Sequence, residues 1–230
     1  HVCEVDAGQV AGIVAGMEVK PHVVVLEPRT FEDVLESFLQ VGRACNAESQ
    51  ADQAVAKMRG RVESIQNRLP VESLRPRVFS LEGMNPLVFG GHWIPDMLSL
   101  AGGKQTMFDG GCSAVRLDWD EIRDYNPDKL FIDLCSSDLA RNLREVPWLE
   151  KQDGWRDLTS VKKGEVYLID HSYFSRPGPR VIEGLEILAE LTHPTIFSGL
   201  VPKKTVVKLD GQSYAGQPDG KLSECFSSYP

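Results

Sequence analysis

The chain has 230 residues, 42% of them apolar, and a formal net charge of −8. That length can bury a sizeable core, as one large domain or two small lobes, while the acidic balance with scattered Lys and Arg argues against a nucleic-acid partner or an anionic membrane surface. No apolar stretch approaches the ~18 residues a membrane-spanning helix needs. Five cysteines, Cys3, Cys45, Cys112, Cys135 and Cys225, stand far apart with no CxxC pair. The spacing fits neither a zinc site nor a disulfide framework; it leaves room for one bridge but favours buried free thiols in a reducing compartment. The chain opens on HVCEV without a signal-peptide pattern and reads there like the interior of a longer protein.

Residues 1–20 carry no clean period. His22 to Leu26 (HVVVL) is a β-branched run that suits a buried parallel strand. Thr30 then caps a helix through FEDVLESFLQV, with Asp33 at the third position in capping-box style and Gly42 as its stop. From Glu48 to Leu69 the positions Ala51, Ala54, Val55, Met58, Val62, Ile65 and Leu69 fall at steps of three and four, one apolar stripe down a single long helix. At ~1.5 Å per residue such a helix spans roughly 30 Å, enough to tie two lobes together as a stiff strut. Pro70 and the Arg75-Pro76 pair end it.

Strands and helices then alternate. Arg77–Leu81 reads as a strand, GMNPLVFGGHW as a loop, His92–Ala101 as a short helix, Asp118–Tyr125 as a helix and Lys129–Leu134 as a strand. Asp138–Leu149 is helical in pattern, Glu165–Asp170 is a strand, and Arg180–Leu191 is a helix entered through Pro177 and Pro179. The alternation implies a mostly parallel sheet covered on both sides. Beyond Gly199 the composition turns polar, with TVVKLDGQ as a strand edge inside an otherwise aperiodic tail, read as an appendage.

Ligands of open α/β sheets sit beyond the carboxyl ends of the strands. Three loops qualify: Phe89 to Trp93, Cys135 to Asp138, and His171 to Arg180. In the first, paired glycines let backbone approach a ligand and the Trp93 indole offers a stacking face. In the third, Tyr173 and Phe174 are neighbours on an extended chain, so at most one looks into a pocket, while Arg176 is either solvated, paired with Asp170 or turned to a ligand. His92 and His171, on two of these loops, form an alternative metal-binding pair. No GxSxG, HExxH or phosphate-cradling glycine loop occurs, which favours binding over catalysis and calls for no cofactor.

The stretches LEPRTFEDVLESFLQVG, GGHWIPDMLSLAGG, GWRDLTSVKKGEVYLID and SYFSRPGPRVIEGLEILAELTHP resemble the cobalamin- and siderophore-type substrate-binding proteins that serve ABC importers of corrinoids, siderophores and haem. The resemblance implies two α/β lobes with mostly parallel sheets joined by one long helix. Residues 1–47 would be the remainder of an amino-terminal lobe that is incomplete at its start, 48–70 the joining helix, 71–199 the second lobe and 200–230 a polar tail. It implies a ligand, cobalamin or a related corrinoid, in the cleft between lobes, with Gly91, His92, Trp93, Tyr173, Phe174 and Arg176 bordering it. It also implies an importer membrane component as partner and an extracytoplasmic setting, against which the unpaired cysteines favour the cytoplasm. A missing segment or a partner chain would complete the first lobe. Asp6 stands where relatives carry a second cysteine, and a carboxylate at the cleft edge accepts hydrogen bonds from a smaller heteroaromatic such as a purine.

Overall fold

In a computed structural model the described residues are 7–69, 71, 75–217 and 222–230. Asp6 lies outside them, as do Cys3 and Pro70. Three helices come first: α1 (Ala7–Ala15), α2 (Phe31–Ala44) and α3 (Glu48–Gln66). The α2 start carries the expected capping box, in which Thr30 Oγ accepts from Asp33 N–H and Asp33 Oδ2 accepts from Thr30 N–H at 2.8 Å. Those bonds hold the Asp33 carboxyl below its usual range. Gly42 is not the stop. The helix runs two residues past it; a Cβ at position 42 would meet the Ala51 Cβ at 2.4 Å, so glycine is what lets α2 and α3 touch.

The α3 helix is unbroken over 19 residues and buries Val55, Met58 and Ile65, all on the stripe expected from sequence. Each buried side chain contributes about 1.5–3 kcal/mol by leaving water, more than the ~1 kcal/mol that Gly60 costs in the helix interior. The helix packs on α2, on α4 (Ile94–Leu100) and on α8 (Val181–Thr192). Arg61 clasps Glu186 of α8 through Nε at 2.8 Å and Nη2 at 2.6 Å, and Arg59 reaches Glu32 of α2.

The HVVVL run does not form a strand. It pairs with no strand and carries no regular element, with Val23, Val24, Val25 and Leu26 between 37% and 56% exposed. A buried parallel strand needs neighbours on both edges, and among the described residues 7–69 carry helices and no strand.

The sheet belongs to the second part of the chain. Its strands are β1 (Val78–Met84), β2 (Leu87–Phe89), β3 (Val115–Arg116), β4 (Lys129–Ile132), β5 (Val166–Ile169), β6 (Val206–Leu209) and β7 (Phe226–Ser228), in spatial order β3-β2-β1-β4-β5-β6-β7. Only β1–β4 and β4–β5 pair in parallel, so the sheet is mixed rather than mostly parallel. The segment GMNPLVF, expected as a loop, is instead the tip and return strand of a hairpin, with Leu81 opposite Phe89 and Met84 opposite Leu87. The parallel centre is apolar on both faces, as VYLI and KLFI in β5 and β4 require, and Phe79, Phe131, Tyr167 and Leu168 are fully enclosed.

Connecting elements follow the predicted order. They are α5 (Trp119–Tyr125), α6 (Leu139–Glu145) and α7 (Thr159–Lys162). The helix expected over 138–149 narrows to a 3-10 turn over its last part, where Pro147 removes a backbone donor. The tail is not an appendage. Strand β6 adds antiparallel to β5, β7 adds to β6, and α9 (Gly211–Ala215) seats Tyr214 in the core. Trp155 donates to the Tyr214 hydroxyl at 3.0 Å, that hydroxyl donates to Glu150 at 3.0 Å, and the Arg156 guanidinium lies 4.0 Å over the Tyr214 ring. A buried polar chain of this kind orders the segment that composition alone reads as loose.

Candidate ligand-binding face

The carboxyl ends of β1, β4 and β5 open at one end of the sheet; the loops over 135–138 and 171–180 leave β4 and β5 there, while the loop over 90–93 leaves β2, the return strand of the hairpin. The first loop is shaped by Gly91. A Cβ at that position would stand 2.4 Å from the Ser113 carbonyl carbon, so only glycine lets the 112–114 backbone cross here. His92 follows with φ 57, a left-handed conformation few non-glycine residues adopt, and is pinned by its N–H to the Cys112 carbonyl at 2.6 Å and by its own carbonyl to Gly111 N–H at 3.0 Å. The imidazole of His92 and the indole of Trp93 lie 5.8 Å apart, both half-buried.

The third loop begins as a 3-10 turn over His171–Tyr173, capped by the Asp170 carboxylate on Ser172 N–H at 2.8 Å. Trp93 joins the two loops: its indole N–H donates to the Phe174 carbonyl at 2.9 Å. Gly184 of α8 makes room for this arrangement, since a Cβ there would press on the Tyr173 carbonyl at 2.6 Å and the Phe174 ring at 3.1 Å. Phe174 itself is 2% exposed and belongs to the core. Of the adjacent aromatic pair, Tyr173 is thus the one left half-open to solvent, although the pair leaves a 3-10 turn and not the extended chain expected from sequence. Arg176 is exposed at the loop tip. The start of α2 is tied to α4 beside this loop, for Phe31 N–H donates to Asp96 of α4 at 2.9 Å.

Below the rings lies a cluster that the sequence did not assemble. Glu82 sits where the β1–β2 register slips between Leu81 and Gly83, a bulge that re-aims its side chain. Asp133 follows β4, its Oδ1 accepting from Ser80 Oγ at 2.7 Å. His171, 2% exposed, lies between them: Nε2 is 3.6 Å from Glu82 Oε1 and Nδ1 is 3.8 Å from Asp133 Oδ2, too far for hydrogen bonds. Burial, with the Asp133 charge second, pushes the Glu82 carboxyl up to about 7. Burial works against protonation of His171, but the Asp133 and Glu82 carboxylates outweigh it and raise the imidazole above its ordinary value. Among the described residues, one donor atom each from Glu82, Cys135 and His171 lie within 4.8 Å of one another. His92 is not in this group. The signal available in sequence was a polar residue at the carboxyl end of each apolar run, in VFSLE, LFID and LIDH. The bulge that turns Glu82 inward leaves no such trace.

The site thus comprises a sheet with a parallel centre, an unbroken helix packed on α2, α4 and α8, and two ring-bearing loops tied together by Trp93. Residues 13–173 match the family model described as periplasmic binding protein, and the chain belongs to that family. It is 28% identical, over 180 residues, to the uncharacterized ABC transporter substrate-binding lipoprotein YvrC of Bacillus subtilis (strain 168), with 76% of this chain and 54% of YvrC covered. The chain thus spans about half the length of that relative. Among solved structures it is similar to a possible iron-binding (periplasmic solute-binding) protein of Staphylococcus epidermidis, at 25% identity and a TM-score of 0.67 over 81% of this chain and 71% of the other. It shares its fold with the periplasmic vitamin B12 binding protein BtuF of Vibrio cholerae, at 15% identity and a TM-score of 0.59 over 81% of this chain and 69% of that one.

Proposed function

We propose that this chain is the solute-binding component of an ABC-type importer, working outside the cytoplasm and handing its ligand to a membrane partner without chemical turnover. The ligand is a planar, nitrogen-rich molecule, with cobalamin or a related corrinoid preferred, held against Gly91, His92, Trp93, Tyr173 and Arg176. What carries the reading is the Trp93 indole bonded to the Phe174 carbonyl, which joins the loop after β2 to the loop after β5 as one ring-bearing wall. Family membership and the substrate-binding name of the Bacillus relative support the transport role. A wall already fixed before the ligand arrives spares the cost of ordering loops on binding.

Titration calorimetry with cyanocobalamin tests this. The expected result is micromolar or tighter binding, weakened by about 1–3 kcal/mol in Trp93→Ala through loss of an aromatic anchor. A flat titration across corrinoids removes that ligand.

A further inference from the structure

The geometry points to a divalent transition-metal site of the zinc class, ligated by Glu82, Cys135 and His171, with Asp133 facing the far nitrogen of the imidazole. The site lies beneath the ring-bearing wall and does not depend on what that wall holds.

The first reason is His171. Its ring is 2% exposed, and neither nitrogen has a hydrogen-bond partner. Enclosing a polar ring without partners is costly, so two orphaned nitrogens in a packed core call for an explanation. Both point at something: Nε2 at Glu82 Oε1, 3.6 Å away, and Nδ1 at Asp133 Oδ2, 3.8 Å away. These gaps are too wide for hydrogen bonds, and the one facing Glu82 is close to what two ligands of one ion show. Around a tetrahedral zinc with bonds of about 2.0 Å to nitrogen and 2.3 Å to sulfur, neighbouring ligand atoms stand about 3.5 Å apart. The three donor atoms lie within 4.8 Å of one another, so side-chain rotations of about 1 Å bring all three onto one ion.

The second reason is the donor set. One imidazole, one thiol and one carboxylate form the mixed nitrogen, sulfur and oxygen chemistry that zinc accepts and that magnesium or calcium, which take oxygen alone, do not. The third is the shell behind it. Asp133 stands with Oδ2 3.8 Å from Nδ1 while Oδ1 is held by Ser80 at 2.7 Å, one short movement from the carboxylate–imidazole–metal relay that fixes tautomer and ring angle in metal sites. Each ligand comes from a separate strand end, Glu82 from the β1 bulge, Cys135 after β4 and His171 after β5, so the sheet itself sets their separation. Glu82 and Cys135 are only half-buried, which leaves a path from solvent.

The test uses the full chain, stripped with a chelator and titrated with Zn²⁺ by calorimetry and with Co²⁺ by absorption. One equivalent of either ion per chain is expected, with a thiolate-to-cobalt charge-transfer band in the near ultraviolet. Cys135→Ser removes that band and weakens Zn²⁺ at least tenfold, and Glu82→Gln does the same to the affinity while keeping the band. Asp133→Asn weakens it tenfold or more through the second shell. Cys135 is half-buried, so its variant keeps the fold and decides the matter even where Asp133→Asn does not fold. Absence of stoichiometric binding, or an affinity and spectrum unchanged in Cys135→Ser and Glu82→Gln, overturns the site.

Discussion

Two apolar runs of nearly the same composition meet opposite fates. HVVVL at 22–26 stays unpaired with its valines half in water, while VYLI at 166–169 is sealed from solvent on both faces. Local propensity is equal; what differs is the company. Strand β5 has β4 on one edge and β6 on the other, whereas no strand among the described residues flanks 22–26. An apolar run therefore announces a strand only together with the edges that will satisfy its backbone.

The contrast can be broken most forcefully at the sheet centre. Phe131→Ala, at a fully enclosed position of β4, is expected to cost about 3–5 kcal/mol in urea denaturation; a loss under 1 kcal/mol would mean that the core is not where the sheet places it. Next comes the carboxyl-terminal part. Trp155→Phe deletes the bond to the Tyr214 hydroxyl and should lower stability by about 1–2 kcal/mol in the same assay, with one cooperative transition, because β6, α9 and β7 pack as part of the same fold.

A smaller effect concerns pH. His193 is buried with Nε2 3.0 Å from the Gly102 carbonyl, and burial holds its imidazole below the ordinary 6.5. The unfolded chain therefore takes up a proton as pH falls through about 6.5 while the folded one resists. The stability His193 contributes is present above 6.5 and lost below it. Thermal midpoints measured between pH 7.5 and about 5 should fall more steeply in the parent chain than in His193→Gln; parallel slopes would contradict this. At the quiet end, Val24→Ser in the exposed run should stay within about 0.5 kcal/mol of the parent.

Much of this was legible beforehand because periodicity and caps are local. The stripe on α3, the Thr30–Asp33 box and the strand-to-helix alternation after residue 77 all rest on spacing within a few residues. The loops at 91–93 and 171–176 were likewise placed by their position after apolar runs, and Trp93 does meet the second of them. What escaped depends on distant partners. The β1–β2 hairpin needed Leu87–Phe89 to find Leu81, and the role of Gly42 needed Ala51 beside it. The polar cluster needed three strand ends brought side by side. The polar composition of residues 200–230 likewise hid Tyr214, Leu222 and Cys225, which count only once β6 has docked.

The sheet's outermost members are very short, two residues in β3 and three in β7. Exposed ladder ends invite stacking between molecules, and brevity is a common defence against it, since so few free amides and carbonyls cannot template a second chain. A protein built around largely apolar central strands thereby keeps its stickiest sequences away from the rim, which favours dispersed single molecules at high concentration over fibrous assemblies.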